Sequence, residues 1–423
     1  MKKADMFELT PQQIDLFKAQ DFENQPPGTI LRDFSALLNL IDHKGMPLTP
    51  SCLIAMNRLE TINLNLSHPI ELRLKRTPQK SYPNINGLYL LLRATGIGVI
   101  DTQGKKPLLK LDPSVLDSWQ SLNGAERYFT LLKAWWGRAT EEIIGARYAP
   151  GADILHLILG FFRDFPKTGE QTIKKPLDDF SLRYRPAFYN LALLELFGLL
   201  EVRVMPPAEG RGWIPQQLRM TDWGKVLLGS YSNFISKAFR QESESALSML
   251  GFSVLDDPLQ GFEKWSQSFR PFIPTWRKEL VIPELGFQPG PHVFKISLGG
   301  QCWRRIAIPG DAFFAEFAAM ILNAFDFDHD HLYCFSYKDR FGRTIEIDHT
   351  YMAGDSDNVL ASEARIGDIP LVNGMHIGFL FDFGDQWEFD IQAEDVNADL
   401  TIKKAKILDK HGKAPEQYGY GDW

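Results

Sequence analysis

A chain of 423 residues, 44% hydrophobic and with a formal net charge of −7, predicts roughly two to four globular domains. Apolar runs such as DILHLILGFF and LALLELFGLL fall short of the roughly 18 residues of a membrane span, and no apolar segment follows the N-terminal lysines, so neither a membrane partner nor export is expected. Three scattered cysteines, Cys52, Cys302 and Cys334, lie outside any C-x-x-C and exclude a disulfide framework and a structural zinc site, which makes a reducing cytoplasm the expected location.

Charge is unevenly spread. Residues 291–423 carry 22 Asp and Glu against 12 Lys and Arg, which leaves 34 basic and 31 acidic residues for 1–290. Phosphate binding relies on local basic charge, so any nucleic-acid partner is expected at the first two thirds. Residues 1–24 form an N-terminal segment. From 25 to 138, RDFSALLNLIDH and TPSCLIAMNRLETIN read as helices. LYLLLRATGIGVIDTQGKKPLLKLDPSVLDSW then reads as a helix stopped at Gly96, a strand, a turn, a second strand and a helix opened by Asp112-Pro113. Between 139 and 250 the order recurs more loosely, with a helix stopped at Gly198, a strand, a Pro/Gly loop and LRMTD leading into another helix.

Both segments read as winged-helix-like units. Lys105 and Lys106 fall on the first wing and Arg211 on the second, which makes these three the DNA-contact candidates. Against that, NINGLYLLLRATG offers Arg93 as its only charge, so the would-be recognition helix reads as buried and a structural or protein-binding role is favoured. Residues 251–290 read as a Pro- and aromatic-rich linker or irregular packed connection, whose Phe262, Trp265, Phe269, Phe272 and Trp276 call for a surface to pack on.

Residues 291–423 predict an acidic α+β module. VFKISLGGQCWRRIAI reads as a strand pair, and Pro309-Gly310-Asp311 as the break and cap of a helix whose core stripe is Phe313, Phe314, Phe317, Met320, Ile321 and Phe325. HLYCFSY, RTIEIDHTY, IGFLFDF, QWEFDI and LTIKKAKIL alternate as mostly antiparallel strands.

The order of WRRI (residues 303–306), a helix, HLY.F (331–335), FDFGDQWEFDI (381–391) and KAPEQYGYGDW resembles the plasmid pRiA-type open-reading-frame-three-like family, also described as insertion-element passenger, TnpR-like proteins, over about a third of the chain. The resemblance implies an α+β module from plasmid and mobile-element settings. It supplies no catalytic residues to carry over and implies nothing about residues 1–290. Many relatives end in a proline-glutamate-aspartate-glycine signature beside cysteines, whereas this tail reads Pro415-Glu416-Gln417-Tyr418 without cysteine, which counts against a metal or redox role there. A serine recombinase needs an activated serine among arginines, and Arg304, Arg305, Arg340, Arg343 and Arg365 are scattered through an acidic region, so recombination is not expected.

Asp382-Phe383-Gly384 spells the magnesium-binding triplet of protein kinases, but no glycine-rich loop, strand lysine or H-R-D precedes it. Gly384-Asp385 between alternating runs instead predicts a hairpin, with Gly384 supplying a positive φ. In FDFDHDHLY, His329 and His331 are expected on one strand face and Asp326, Asp328 and Asp330 on the other.

The candidate polar cluster is His331, Asp382, Asp385, Trp387 and Arg304, and His329, His331, Asp382 and Asp385 are the weak metal-ligand candidates. No cofactor is expected. The reading leans away from an enzyme and toward an interaction or regulatory protein whose C-terminal module binds a protein or peptide. The alternatives are a metal-dependent enzyme with a His/Asp site in that module, and DNA binding through the winged-helix-like units.

Overall fold

The computed structural model describes residues 9–102, 104, 106–145, 154–173, 182–243, 257–284, 286–300, 302–354, 356 and 358–418, and for 239–243 the backbone alone. The described residues divide into two compact units, 1–101 with 106–282 and 102–105 with 283–423.

The first unit contains one three-stranded sheet topology twice. After α1 (Pro11–Ala19), the first set runs α2 (Ile30–Asn39), β1 (Met46–Pro47), α3 (Met56–Asn65), α4 (Pro83–Ala94), β2 (Gly98–Asp101) and β3 (Leu108–Leu111), with sheet order β1-β3-β2. Helices α5 (Pro113–Gln120) and α6 (Gly124–Gly137) lead to the second set: α7 (Ile154–Asp164), β4 (Glu170–Thr172), α8 (Phe188–Leu196), β5 (Leu200–Val204) and β6 (Pro215–Met220), with order β4-β6-β5. In both sets the early strand pairs with the last one, so the two sheets share one antiparallel topology.

The expected stops hold at atomic detail. Gly96 and Gly198 lie at φ +73° and +71°, the left-handed conformation that ends a helix at no steric cost to glycine. Asp112 caps α5 by accepting from the Ser114 and Val115 N–H groups.

Helices α4 and α8 form the seam between the sets. All twelve residues of α4 are buried. At Gly87 the backbone comes so close that a Cβ there would sit 2.7 Å from Leu193 Cγ and 3.2 Å from the Tyr189 carbonyl oxygen. Gly28 and Gly198 meet backbone to backbone beside it, and the Thr29 N–H donates to the Leu196 carbonyl at 2.8 Å.

Three buried polar side chains along the seam are paired. Trp135 Nε1 donates to Asn190 Oδ1 at 2.9 Å, Trp223 Nε1 donates to Tyr128 Oη at 2.8 Å, and that hydroxyl donates to the Phe197 carbonyl at 2.8 Å. Such satisfied pairs let an aromatic core carry polar atoms without a desolvation penalty. After α9 (Asp222–Ser243), α10 (Pro258–Ser266) and the segment behind it bury Phe262, Trp265, Phe269, Ile273 and Trp276 in the same core, and Trp276 stacks on Phe129 with ring centroids 4.1 Å apart. Phe272, in the same aromatic run, is only partly buried against this core.

Among the described residues the second unit is an eight-stranded sheet carrying one α-helix. Its strands are β7 (Pro291–Leu298), β8 (Cys302–Pro309), β9 (Tyr333–Lys338), β10 (Thr344–Asp348), β11 (Val359–Leu360), β12 (His376–Phe381), β13 (Trp387–Asp395) and β14 (Lys406–His411). They lie in the order β11-β10-β9-β12-β13-β7-β8-β14. Every pairing is antiparallel except β10 with β11.

Helix α11 (Phe314–Ala324) covers the sheet through Phe314 and Phe317, whose rings meet Phe335 and Phe294. Two expectations about this helix change. Phe313 occupies the N-cap and is exposed rather than core, and the cap is completed by the Glu316 carboxylate accepting from the Phe313 N–H, not by Asp311.

Candidate functional site

The FDFGDQW stretch is a hairpin. β12 and β13 pair from His376↔Gln392 to Phe381↔Trp387, which leaves residues 382–386 as the turn. Asp382 organises it: its Oδ1 accepts from the Gly384 N–H at 2.9 Å and the Asp385 N–H at 3.4 Å, and its own carbonyl accepts from the Gln386 N–H at 2.7 Å. The positive φ angles belong to Asp382 (+55°) and Gln386 (+54°) and not to Gly384, contrary to expectation. Aspartate tolerates the left-handed region because its short side chain bonds back to the local backbone, so the turn is carried by the carboxylate before the glycine.

Residues 326–332 are a loop, not the strand expected. β9 begins only at Tyr333, and Asp326 itself sits at φ +59°. His329 and His331 therefore do not share a strand face. His329 Nε2 lies 3.2 Å from Asn323 Oδ1. His331 Nε2 lies 3.4 Å from Asp382 Oδ2 and 3.7 Å from Asp330 Oδ1.

Asp330 in turn accepts from the Tyr418 hydroxyl at 2.6 Å. That hydrogen bond holds the Asp330 carboxyl below the usual range and pushes the Tyr418 hydroxyl up to about 12. The tail is tied down here as well, since Gln417 Oε1 accepts from the Asp328 N–H at 2.6 Å.

The rest of the expected cluster is employed elsewhere. Asp385 is exposed and reaches Asp382 only through its backbone. Trp387 packs its ring on Phe327 at 5.0 Å, and its indole N–H is buried and has no hydrogen-bond partner among the described residues.

Arg304, 4% exposed, is a structural strap. Its Nε donates to the Ala324 carbonyl at 2.7 Å and its Nη1 to the Trp303, His411 and Gly412 carbonyls, while its plane covers Phe325 at 4.7 Å. A guanidinium spent on carbonyls at a helix C-terminus and an edge strand satisfies groups that burial would otherwise leave costly.

Residues 293–420 match the plasmid pRiA4b ORF-3-like protein family. A crystal structure of a protein of unknown function from Methanosarcina mazei Go1 is similar at 21% identity, covering 30% of this chain and 72% of that chain, with a TM-score of 0.27. None of the curated proteins matches the chain.

Within the ORF-3-like region the ligand atoms of His331, Asp382 and Asp385 do not converge. Among the described residues, the set of acidic, His or Cys groups that lies within 4.8 Å of one another is Cys334, Glu346 and Asp348. It arises from strand register, which places Cys334 opposite Asp348.

Burial and the carboxyl of Asp348 push the Cys334 thiol up to about 12. Burial alone would raise Asp348, but hydrogen bonds from Ser356, Asn358 and Cys334 hold it below the usual carboxylate range. Sequence reasoning missed this trio because HLYCF and TIEID bring it together only once their pairing is known. A thiol that keeps its proton is a half-buried donor, not a ligand poised for metal.

In the first unit, Lys106 and Arg211 are exposed on the β2–β3 and β5–β6 connections, and Lys105 lies outside the described residues. Helix α4 has no face free to enter a groove, because every residue of it is buried.

Proposed function

We propose that this chain is a non-enzymatic interaction or regulatory protein, in which two winged-helix units form a scaffold and the ORF-3-like module captures an acidic, extended segment of a partner protein. The helix, strand, helix, helix, strand, turn, strand order of the first set and the matching β1-β3-β2 and β4-β6-β5 sheets support the winged-helix assignment. Because α4 is wholly buried at the seam with α8, the helices that would read DNA serve instead to join the two units.

One observation carries the partner reading: the outer strand β14 is exposed along all six residues and is strongly basic within an acidic module. Lys403, Lys404, Lys406, Lys410 and Lys413 stand against Asp409 alone in residues 403–413. Asp409 is itself occupied by Arg305, 3.7 Å away. Ile407 and Leu408 are about 40% exposed on the same strand.

An edge strand offers unpaired N–H and C=O groups, and a peptide that adds to it gains a ladder of hydrogen bonds. Lysines on the edge repel further copies of the same strand and favour one of opposite charge.

The test uses fluorescence anisotropy with an alternating Glu-Val peptide and a matched Lys-Val peptide. The acidic peptide should bind, with affinity falling as salt rises, and Lys406→Glu with Lys410→Glu should remove that binding. Equal binding of both peptides, or binding indifferent to the two substitutions, would refute the reading.

A further inference from the structure

The first unit holds a partly open cavity of about 660 Å³ that borders the Gly28–Gly198 contact of the seam and lies apart from the proposed peptide edge. Its walls are the loop leading into α2, residues 68–71, the end of α8 and the β5–β6 hairpin. That volume falls in the range that holds small organic ligands. The apolar part of the wall includes Val202, Met205 and Trp213, and neither lysine nor arginine lines it.

The acidic residues of the wall differ in how far they are already satisfied. Asp33 is fully buried, and its oxygens accept from the Ser67 N–H and hydroxyl and from the Thr29 hydroxyl, each at 2.7 Å. Glu71 pairs with Arg73, and Glu201 with Arg219. Glu195 is different. It interrupts the apolar helix LALLELF, and its Oε1 accepts only a long 3.4 Å bond from the Val202 N–H. No lysine or arginine forms an ion pair with it among the described residues. Burial pushes its carboxyl up to about 7.

A carboxyl placed among leucines without a counter-charge costs stability that another leucine would not. A cation seated against it would recover that cost, and the surrounding wall offers apolar contact to the remainder of such a molecule.

From the cavity, its lining free of lysine and arginine and the single under-bonded carboxyl, we infer that it binds a small organic cation, an amine on an apolar body, with the ammonium donating to Glu195 and the body against Val202, Met205 and Trp213. This site lies wholly within the first unit and is independent of peptide capture at β14, so either can fail without the other.

The experiment titrates the full chain with 2-phenylethylamine and with 2-phenylethanol, which has the same body and no charge, and reads calorimetric affinity and thermal shift. The amine should bind about tenfold tighter than the alcohol, the discrimination of one charge-assisted hydrogen bond. Glu195→Gln, which preserves shape, should bring the two ligands to equal affinity while the melting profile stays cooperative. Met205→Trp, which fills the cavity from an exposed wall position, should weaken both ligands and keeps the inference testable if the first variant fails to fold. Equal affinity for amine and alcohol in the wild-type chain, an amine preference that survives Glu195→Gln, or no binding of either ligand would overturn the inference.

Discussion

Gly87→Ala tests whether α4 and α8 truly meet backbone to backbone. In an ordinary helix interior the change would stabilise by up to about 1 kcal/mol, because alanine loses less conformational freedom than glycine. Here the new Cβ would lie 2.7 Å from Leu193 Cγ, against the roughly 3.5–4.0 Å at which carbon atoms attract. Leu193 is fully buried and cannot swing into solvent. The helices cannot easily separate either, because Gly28 and Gly198 hold the neighbouring backbones in contact.

Overpacking of this kind costs about 1–3 kcal/mol. Set against the propensity gain, the net expectation is a loss of about 1–2 kcal/mol. Urea denaturation followed by tryptophan fluorescence measures it directly.

Leu193→Ala alone should cost about 2–5 kcal/mol. The double variant should lose clearly less than the sum, since removing Leu193 removes the atom that the new methyl strikes. A Gly87→Ala protein as stable as the parent, or singles that simply add, would show that the helices are not in close approach and would sink the seam as described.

Four further outcomes follow from the same structure. His292 is fully buried and neutral, with Nδ1 accepting from the Asn397 N–H and Nε2 facing the Gln288 carbonyl, and burial lowers its pKa below 6.5. The unfolded chain then binds a proton near pH 6.5 that the folded one refuses. Stability of the second unit should fall as pH drops below about 6.5 and level off below the folded pKa, and a flat profile by pH-dependent denaturation would contradict this. For Glu195 the sign reverses: the folded carboxyl keeps its proton up to about 7 while the unfolded one releases it near 4.5, so this contribution falls as pH rises across that window, and Glu195→Gln should remove the slope. Gly384→Val should shift melting little, since Gly384 is not at positive φ and a Cβ there meets only Asp382 Oδ1 at 3.2 Å, whereas Asp382→Ala should cost about 1–2 kcal/mol by orphaning turn N–H groups. Asp385→Asn should leave melting unchanged with or without divalent metal, and a stoichiometric metal lost in that variant by elemental analysis would revive the enzyme reading.

Much of the fold could be read along the chain because its signals are local. Gly96 and Gly198 end their helices by backbone freedom alone, Asp112-Pro113 opens α5 through its own cap, and the alternation of IGFLFDF and QWEFDI specifies strands whatever lies beside them. The family resemblance was likewise legible, because its motifs keep their order along the sequence. The site was harder. Charge and residue type nominated His331, Asp382, Asp385, Trp387 and Arg304, but what a carboxylate or guanidinium does depends on which backbone groups surround it. Asp382 became a turn cap and Arg304 a strap across Ala324, Trp303, His411 and Gly412, partners up to 108 residues away in sequence.

Tertiary structure alone decided three things. It buried α4 against α8, it set the register that places Cys334 opposite Asp348, and it left Glu195 under-bonded on a cavity wall. Each depends on how distant segments approach one another, and the sequence encodes that approach only through the summed packing of the whole core. Local propensity and motif spacing report what a segment can become, while proximity in the folded chain determines which of its polar groups remain available.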